Sequence, residues 1–336
     1  MTQSAEARRI EAVAKLYHAW ITGLVLSLVA RKGADIAEDF VFRLFRQQHH
    51  EKFLPGLEKL GLVDEADAVA CAKYHYFSNQ LGGVSVEYLE ESPNKAWIRY
   101  PPPRWIWYGT AICGIPSNVN RAMLYGWHAH NGVTLGNPRL GFVCTGTTVD
   151  GHPGLEGFYR EYDDEIPPEK RLLFRPELDC PMIDPASLPT LDAASWPEER
   201  KARAYRNYAM EYLRNALPVL VAQLGPEEAR YVGRICALQT GMHQYHDLAA
   251  DFAVNDPSAE SFVDLLAQVL ETSGDTLNRE GGRDLTRSRW RIFPDPPHEV
   301  VEDTQVALFE GLLASHNRSL GLKRERIHGS LCLHIN

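Results

Sequence analysis

At 336 residues the chain has the length of two modules of about 150 residues each, enough to bury a hydrophobic core. A composition of 44% hydrophobic and 24% charged residues excludes fibrous, collagen-like and extensively disordered chains. The formal charge of -9, with Lys and Arg gathered only in short pairs such as Lys323-Arg324, argues against nucleic-acid binding, which needs a concentrated positive face.

The first predicted element is a helix through Ala19-Trp20-Ile21-Thr22-Gly23-Leu24-Val25-Leu26 that ends at Gly33. Its apolar run, Ala19 to Ala30, is too short to cross a bilayer, and it follows a charged stretch, Glu6 to Lys15, where a signal peptide would already be apolar. It reads as a buried helix of a cytoplasmic protein with no membrane partner. Next comes a helical segment carrying Gln47-Gln48-His49-His50-Glu51. A hairpin follows: Val84-Ser85-Val86-Glu87-Tyr88-Leu89 alternates at period two and turns at Ser92-Pro93-Asn94 into Ala96-Trp97-Ile98-Arg99-Tyr100. A helix around Tyr125-Gly126-Trp127 leads to His130-Asn131. Strands at Leu140–Thr145 and Leu155–Tyr159 are parted by a turn at Asp150-Gly151. A Pro- and Asp-rich connection, 163–197, is expected to run over the surface.

The same succession then returns. The run Ala216-Leu217-Pro218-Val219-Leu220-Val221 ends at Gly225, and His243-Gln244-Tyr245-His246-Asp247 sets His246 against His50 at an offset of 196. Helical spacing over Phe262–Leu270 precedes Trp290-Arg291-Ile292-Phe293-Pro294, which echoes Trp97-Ile98-Arg99-Tyr100-Pro101 at an offset of 193. A helix over Val306–Leu313 brings His316-Asn317 opposite His130-Asn131, offset 186, and the last turn falls at His328-Gly329. Matches in one order indicate a tandem duplication. The expected fold is α+β (α/β), each copy having N-terminal helices, a β-hairpin, a helix and closing strands, with copies at 1–162 and 198–336 joined by 163–197.

This arrangement resembles the L-2-amino-thiazoline-4-carboxylic acid hydrolase-like family and, more distantly, the 4-vinyl reductase ligand-binding domain. The resemblance rests on the hairpin, the helix at Tyr125-Gly126-Trp127, and the closing strands with Gly151-His152-Pro153 and Gly329-Ser330-Leu331-Cys332. It implies a fold and a small-molecule pocket, in a hydrolase or a ligand sensor. Those relatives often carry Cys three residues after the glycine. The second copy has Cys332 there and the first has Gly154, so a thiol-dependent role does not carry to the first.

Positions three and four apart share a helix face, so His243, His246 and Asp247 form a partial metal site suited to zinc or iron, with His316 as a further ligand. The first copy offers His50, Glu51 and His130, with Gln47 where His243 stands. A metal-free alternative uses the same residues as acid and base, with His130 and His316 as the favoured catalytic pair. The competing reading makes each His-Asn a helix end. Trp97, Tyr100, Trp105, Trp107, Tyr108, Tyr125 and Trp127 suggest a pocket wall for an aromatic or heterocyclic substrate, with Asn131 beside them as a substrate-binding residue; ordinary core packing or the interface between the two copies is the alternative. Arg99 reads as a carboxylate clamp or a surface ion pair. The six cysteines include no Cys-x-x-Cys pair and read as reduced thiols. No phosphate loop, dinucleotide fingerprint or nucleophile elbow is present. The expected function is a hydrolase or lyase acting on a small cyclic or aromatic compound. Two alternatives stand beside it: a non-catalytic binding or sensor protein, and a lyase of aromatic-compound catabolism. The expected partner is a small-molecule substrate, with a homodimer as the open option.

Overall fold

The structure, a computed structural model, describes residues 4–279, 282–293 and 297–336. Two glycines set the long helices. α1 (Ala5–Lys32) and α2 (Ala34–Leu60) are parted by Gly33 at φ 92, a left-handed-side conformation open to glycine at little cost. α3 (Asp67–Leu81) follows, then the hairpin β1 (Glu87–Ser92) and β2 (Lys95–Tyr100). Next stand α4 (Ser117–Gly126), a 3-10 turn at His128–His130 and α5 (Asn131–Leu135), before β3 (Leu140–Gly146), β4 (Leu155–Glu161) and β5 (Leu172–Phe174).

The second half opens with α6 (Glu198–Leu224) and α7 (Pro226–Asp251), parted by Gly225 at φ 78. It continues through α8 (Ala259–Ser273), β6 (Thr276–Arg279), β7 (Asp284–Arg289), α9 (Glu299–His316), β8 (Leu322–Ile327) and β9 (Ser330–Ile335). One sheet has the order β1-β2-β4-β3-β5 and the other β6-β7-β9-β8. All neighbours pair antiparallel except β5, which lies parallel to β3. The fold is α+β, and with α5 and β5 set aside the two halves share the order of their helices and strands and the strand order of their sheets.

The chain forms two compact units, Leu28–Ala204 and Met1–Ser27 with Tyr205–Asn336. These cut through α1 and α6 rather than following the boundaries read from the sequence. The reason lies in the packing of α1 up to Ser27. Gly23 admits Cys236 and Thr240 at contact distance, the Cys236 thiol reaches the Trp20 carbonyl at 3.8 Å, and Arg9 lies over the Phe252 ring. By length and composition α1 could cross a membrane, but 67% of its apolar window is buried, as in a core helix. It is longer than its apolar run because Ala12, Val13, Leu16 and Tyr17 extend the buried stripe into the charged segment.

Strand alternation separates the two faces of the first sheet. Trp97, Val143 and Phe158 form a cluster on one face, covered by Leu89, Leu173 and Cys180. The 163–197 connection therefore belongs to this unit's structure: it supplies β5 and buries Ile183 and Trp196. Ile98, Tyr100, Phe142 and Tyr159 are buried on the other face.

Two sequence echoes fall out of step. Trp97 lies inside β2 whereas Trp290 follows the end of β7; Pro294 and Gly281 lie outside the described residues. Counted from Gly33 and Gly225, His246 stands four residues, one helical turn, farther along its helix than His50.

Candidate metal centre

The site is built where α4 stops. Gly126 lets α4 press against α2: a Cβ there would lie 2.8 Å from the Phe42 carbonyl oxygen and 2.8 Å from the Phe45 Cβ. Past Gly126 the chain leaves the helix at Trp127 and turns through His128–His130. That break carries His130 back onto α2.

There its imidazole meets His49 at 5.1 Å and His50 at 5.2 Å between ring centroids. His49, His50 and His130 each offer a ligand nitrogen, and these lie within 4.8 Å of one another. It is the one such group of three or more among the described residues. Nitrogens bound tetrahedrally at a zinc–nitrogen distance of about 2.0–2.1 Å stand roughly 3.3 Å apart, so small side-chain rotations close the set. His49 is fully buried, with neither ring nitrogen hydrogen-bonded. His130 is half-buried and His50 exposed, so the cluster opens to solvent on the His50 side.

Burial pushes the His49 imidazole down to about 3, and the charges of His130, His50 and Arg46 add to the effect. Burial, Arg46, His50 and Arg171 hold His130 at about 4. Both rings are therefore neutral at physiological pH, the state in which imidazole binds a metal. Behind them Trp127 meets His49 edge-on at 5.6 Å and stacks on Tyr74 at 6.0 Å. Deeper still, His75 stacks on His128 at 4.1 Å, both near-parallel to Tyr159, whose hydroxyl accepts from Asn131 Nδ2 at 3.0 Å. The buried atoms Trp127 Nε1, His75 Nε2, both His128 nitrogens and Asn131 Oδ1 have no hydrogen-bond partner among the described residues.

Of the residues singled out from the sequence, His50 and His130 join the cluster, Trp127 packs behind it, and Asn131 and Tyr100 are buried in the same unit. Glu51 does not join the cluster and accepts from Gln47 Nε2 at 3.2 Å. Trp97 and Arg99 stand on the far face of the sheet because they alternate with Ile98 and Tyr100. There Trp97 Nε1 donates to Glu91 at 2.8 Å and Arg99 pairs with Glu87.

In the other unit His243, His246 and Asp247 are exposed on α7 and join no ligand cluster among the described residues. His316 is committed to structure. Its Nε2 must donate to the Ser258 carbonyl at 2.8 Å, which leaves Nδ1 to accept from the Tyr245 hydroxyl at 2.7 Å. Asn317 Nδ2 donates to the Pro257 carbonyl at 2.9 Å, so this His-Asn pair ties the end of α9 to the α7–α8 loop. Asn317 sits at the helix end in extended rather than left-handed backbone, φ -159.

His49, His75 and His128 escaped sequence reasoning. Their signal was local density: the doublet His49-His50, the His128-x-His130 pair and His75 all fall in the first half. All six cysteines are free, and burial raises the Cys144 thiol to about 12, which removes it as a nucleophile near neutral pH. A cleft of about 510 Å³ opens elsewhere in the unit, lined by Glu58, Lys73, Phe77, Asp192 and Trp196 among others, and none of the histidines lines it. No protein-family model, curated protein or solved structure matches the chain.

Proposed function

We propose that His49, His50 and His130 hold a zinc or iron ion and that the protein is a metal-dependent hydrolase or lyase of a small organic molecule. The observation that carries this reading is the convergence of three imidazoles whose nitrogens lie within 4.8 Å, one ring sealed and one exposed. A divalent ion bound by three histidines supplies a Lewis acid and an acidified water at its open position. His49, backed by Trp127, is the fixed anchor; His130 closes from the turn after α4; His50 stands at the solvent side, where a substrate enters. The cyclic or aromatic character of that substrate, a cytoplasmic setting and the resemblance to the thiazoline-carboxylate hydrolase-like family belong to the same proposal.

The shared order of elements and strands supports descent of the two halves from one duplicated module. In this reading the second half has lost the site, since its corresponding helix α9 runs unbroken and its His316 is tied on both nitrogens.

The test is the metal content of untagged protein purified without chelators. About one zinc or iron per chain is expected, lost in His49→Ala and His130→Ala and kept in His246→Ala. Metal-free wild type, or metal retained by His130→Ala, refutes the proposal. A second reading, non-catalytic binding of a small polar molecule, draws on the unpartnered buried atoms of His75, His128, Trp127 and Asn131; a bound compound with no turnover would favour it.

A further inference from the structure

We infer that Arg46 is a positioning residue of the metal centre: its guanidinium fixes where α4 ends and so delivers His130 to His49 and His50. The inference rests on the metal reading above.

Arg46 stands three and four residues before His49 and His50, on the same face of α2. It points across to the last turn of α4, where Nε donates to the Gly126 carbonyl at 2.9 Å and Nη2 to the Tyr125 carbonyl at 3.0 Å. Carbonyls at a helix C-terminus lack partners within their own helix and carry the negative end of its dipole. A planar guanidinium offers two donors in fixed geometry, which an ammonium does not. Arg46 thus closes the C-terminus of α4 at Gly126, and the chain leaves for the His128–His130 turn immediately afterwards.

The close approach at Gly126 is part of the same brace, because any side chain there meets α2 backbone. Several other arginines of this unit pair with carboxylates: Arg43 with Asp39, Arg99 with Glu87, Arg121 with Asp150, Arg139 with Glu161. Arg46 has no carboxylate partner among the described residues; its bonds go to the two carbonyls, and its remaining contact is the face of Phe42 at 5.0 Å. A cation next to a metal site opposes metal binding electrostatically, so what Arg46 contributes there is geometric. Delivering His130 is that contribution. In the second unit Gly311 makes the matching approach to Leu238 and Met242, so Met242 stands where Arg46 stands in the first, and α9 runs on past Gly311 without a break.

The experiment loads the full-length wild type, Arg46→Met and Arg46→Lys with cobalt(II) and reads the visible d–d bands, the cobalt affinity and the far-ultraviolet circular dichroism. Outer residues that orient metal ligands typically alter affinity by roughly 10–100-fold. A loss of that size is expected in Arg46→Met, with altered bands and unchanged helix content. Arg46→Lys should stay impaired, since it restores charge without the two-pronged bond. Wild-type affinity and bands in folded Arg46→Met overturn the inference alone, as does full rescue by lysine. Absence of cobalt bands from wild type overturns the metal reading and this inference with it. Should Arg46→Met not fold, Arg46→Lys decides by the same criteria.

Discussion

Replacing His75 by phenylalanine tests the electrostatics of the histidine-rich interior. His75 is 4% exposed and burial pushes its imidazole from 6.5 down to about 3. The folded pKa lies below the unfolded one, so between these limits the unfolded chain takes up a proton that the folded chain refuses. The folded state suffers no such penalty above pH 6.5 and loses stability progressively as pH falls toward 3. At pH 4.5, two units below the unfolded value, the loss is about 2.7 kcal/mol at roughly 1.36 kcal/mol per unit. Phenylalanine keeps a ring against His128, 4.1 Å away, and removes both the proton site and the unpartnered buried Nε2. Urea unfolding at pH 7.5, 6.0 and 4.5 should therefore show the variant gaining on wild type by about 2.7 kcal/mol over the lowest two units. Equal losses in both proteins between pH 7.5 and 4.5 refute the assignment of His75 as a neutral, buried group.

In the second unit, Arg287 and Asp275 form an ion pair at 3% and 4% side-chain exposure. Asp275→Ala strands the guanidinium and should cost about 3–5 kcal/mol in chemical denaturation. His316→Phe leaves the Tyr245 hydroxyl and the Ser258 carbonyl without their bonds, a loss of about 1–3 kcal/mol by thermal unfolding, while metal content stays at the wild-type level. Gly311→Ala drives a Cβ to within 2.1 Å of the Leu238 carbonyl oxygen and should destabilise by about 1–3 kcal/mol or more; a neutral result would mean that α7 and α9 part easily. Thiol labelling of native protein should reach the exposed Cys113 first and the buried Cys71, Cys144 and Cys236 only on unfolding.

Local chemistry was legible wherever one residue decides it. Gly33, Gly225 and the His328-Gly329 turn hold the positive φ values that end helices or close hairpins, and the period-two run into Ala96–Tyr100 gave β2. What the sequence concealed depends on partners distant along the chain. Trp97 and Arg99 fell on the wrong face because both are plausible pocket residues, and only the pairing of β2 with β4 decides which side each serves. The split of α1 between units has no local marker, since the same apolar residues serve either partner.

The histidine cluster exposes a deeper limit of matching motifs between halves. The pairs His130-Asn131 and His316-Asn317 look alike in sequence, yet one follows a helix that stops at Gly126 and the other ends a helix that runs on for 18 residues. A histidine becomes available as a ligand only when its nitrogens are free and its backbone is aimed. In the first unit the broken helix aims His130 at α2 and leaves it uncommitted. In the second, the unbroken helix brings His316 against Tyr245 and Ser258, which consume both nitrogens. The decisive difference is therefore in how the helix before the motif ends, where Arg46 acts on the last carbonyls of α4, and a search for new ligand sets in such repeats should read helix endings before it reads histidines.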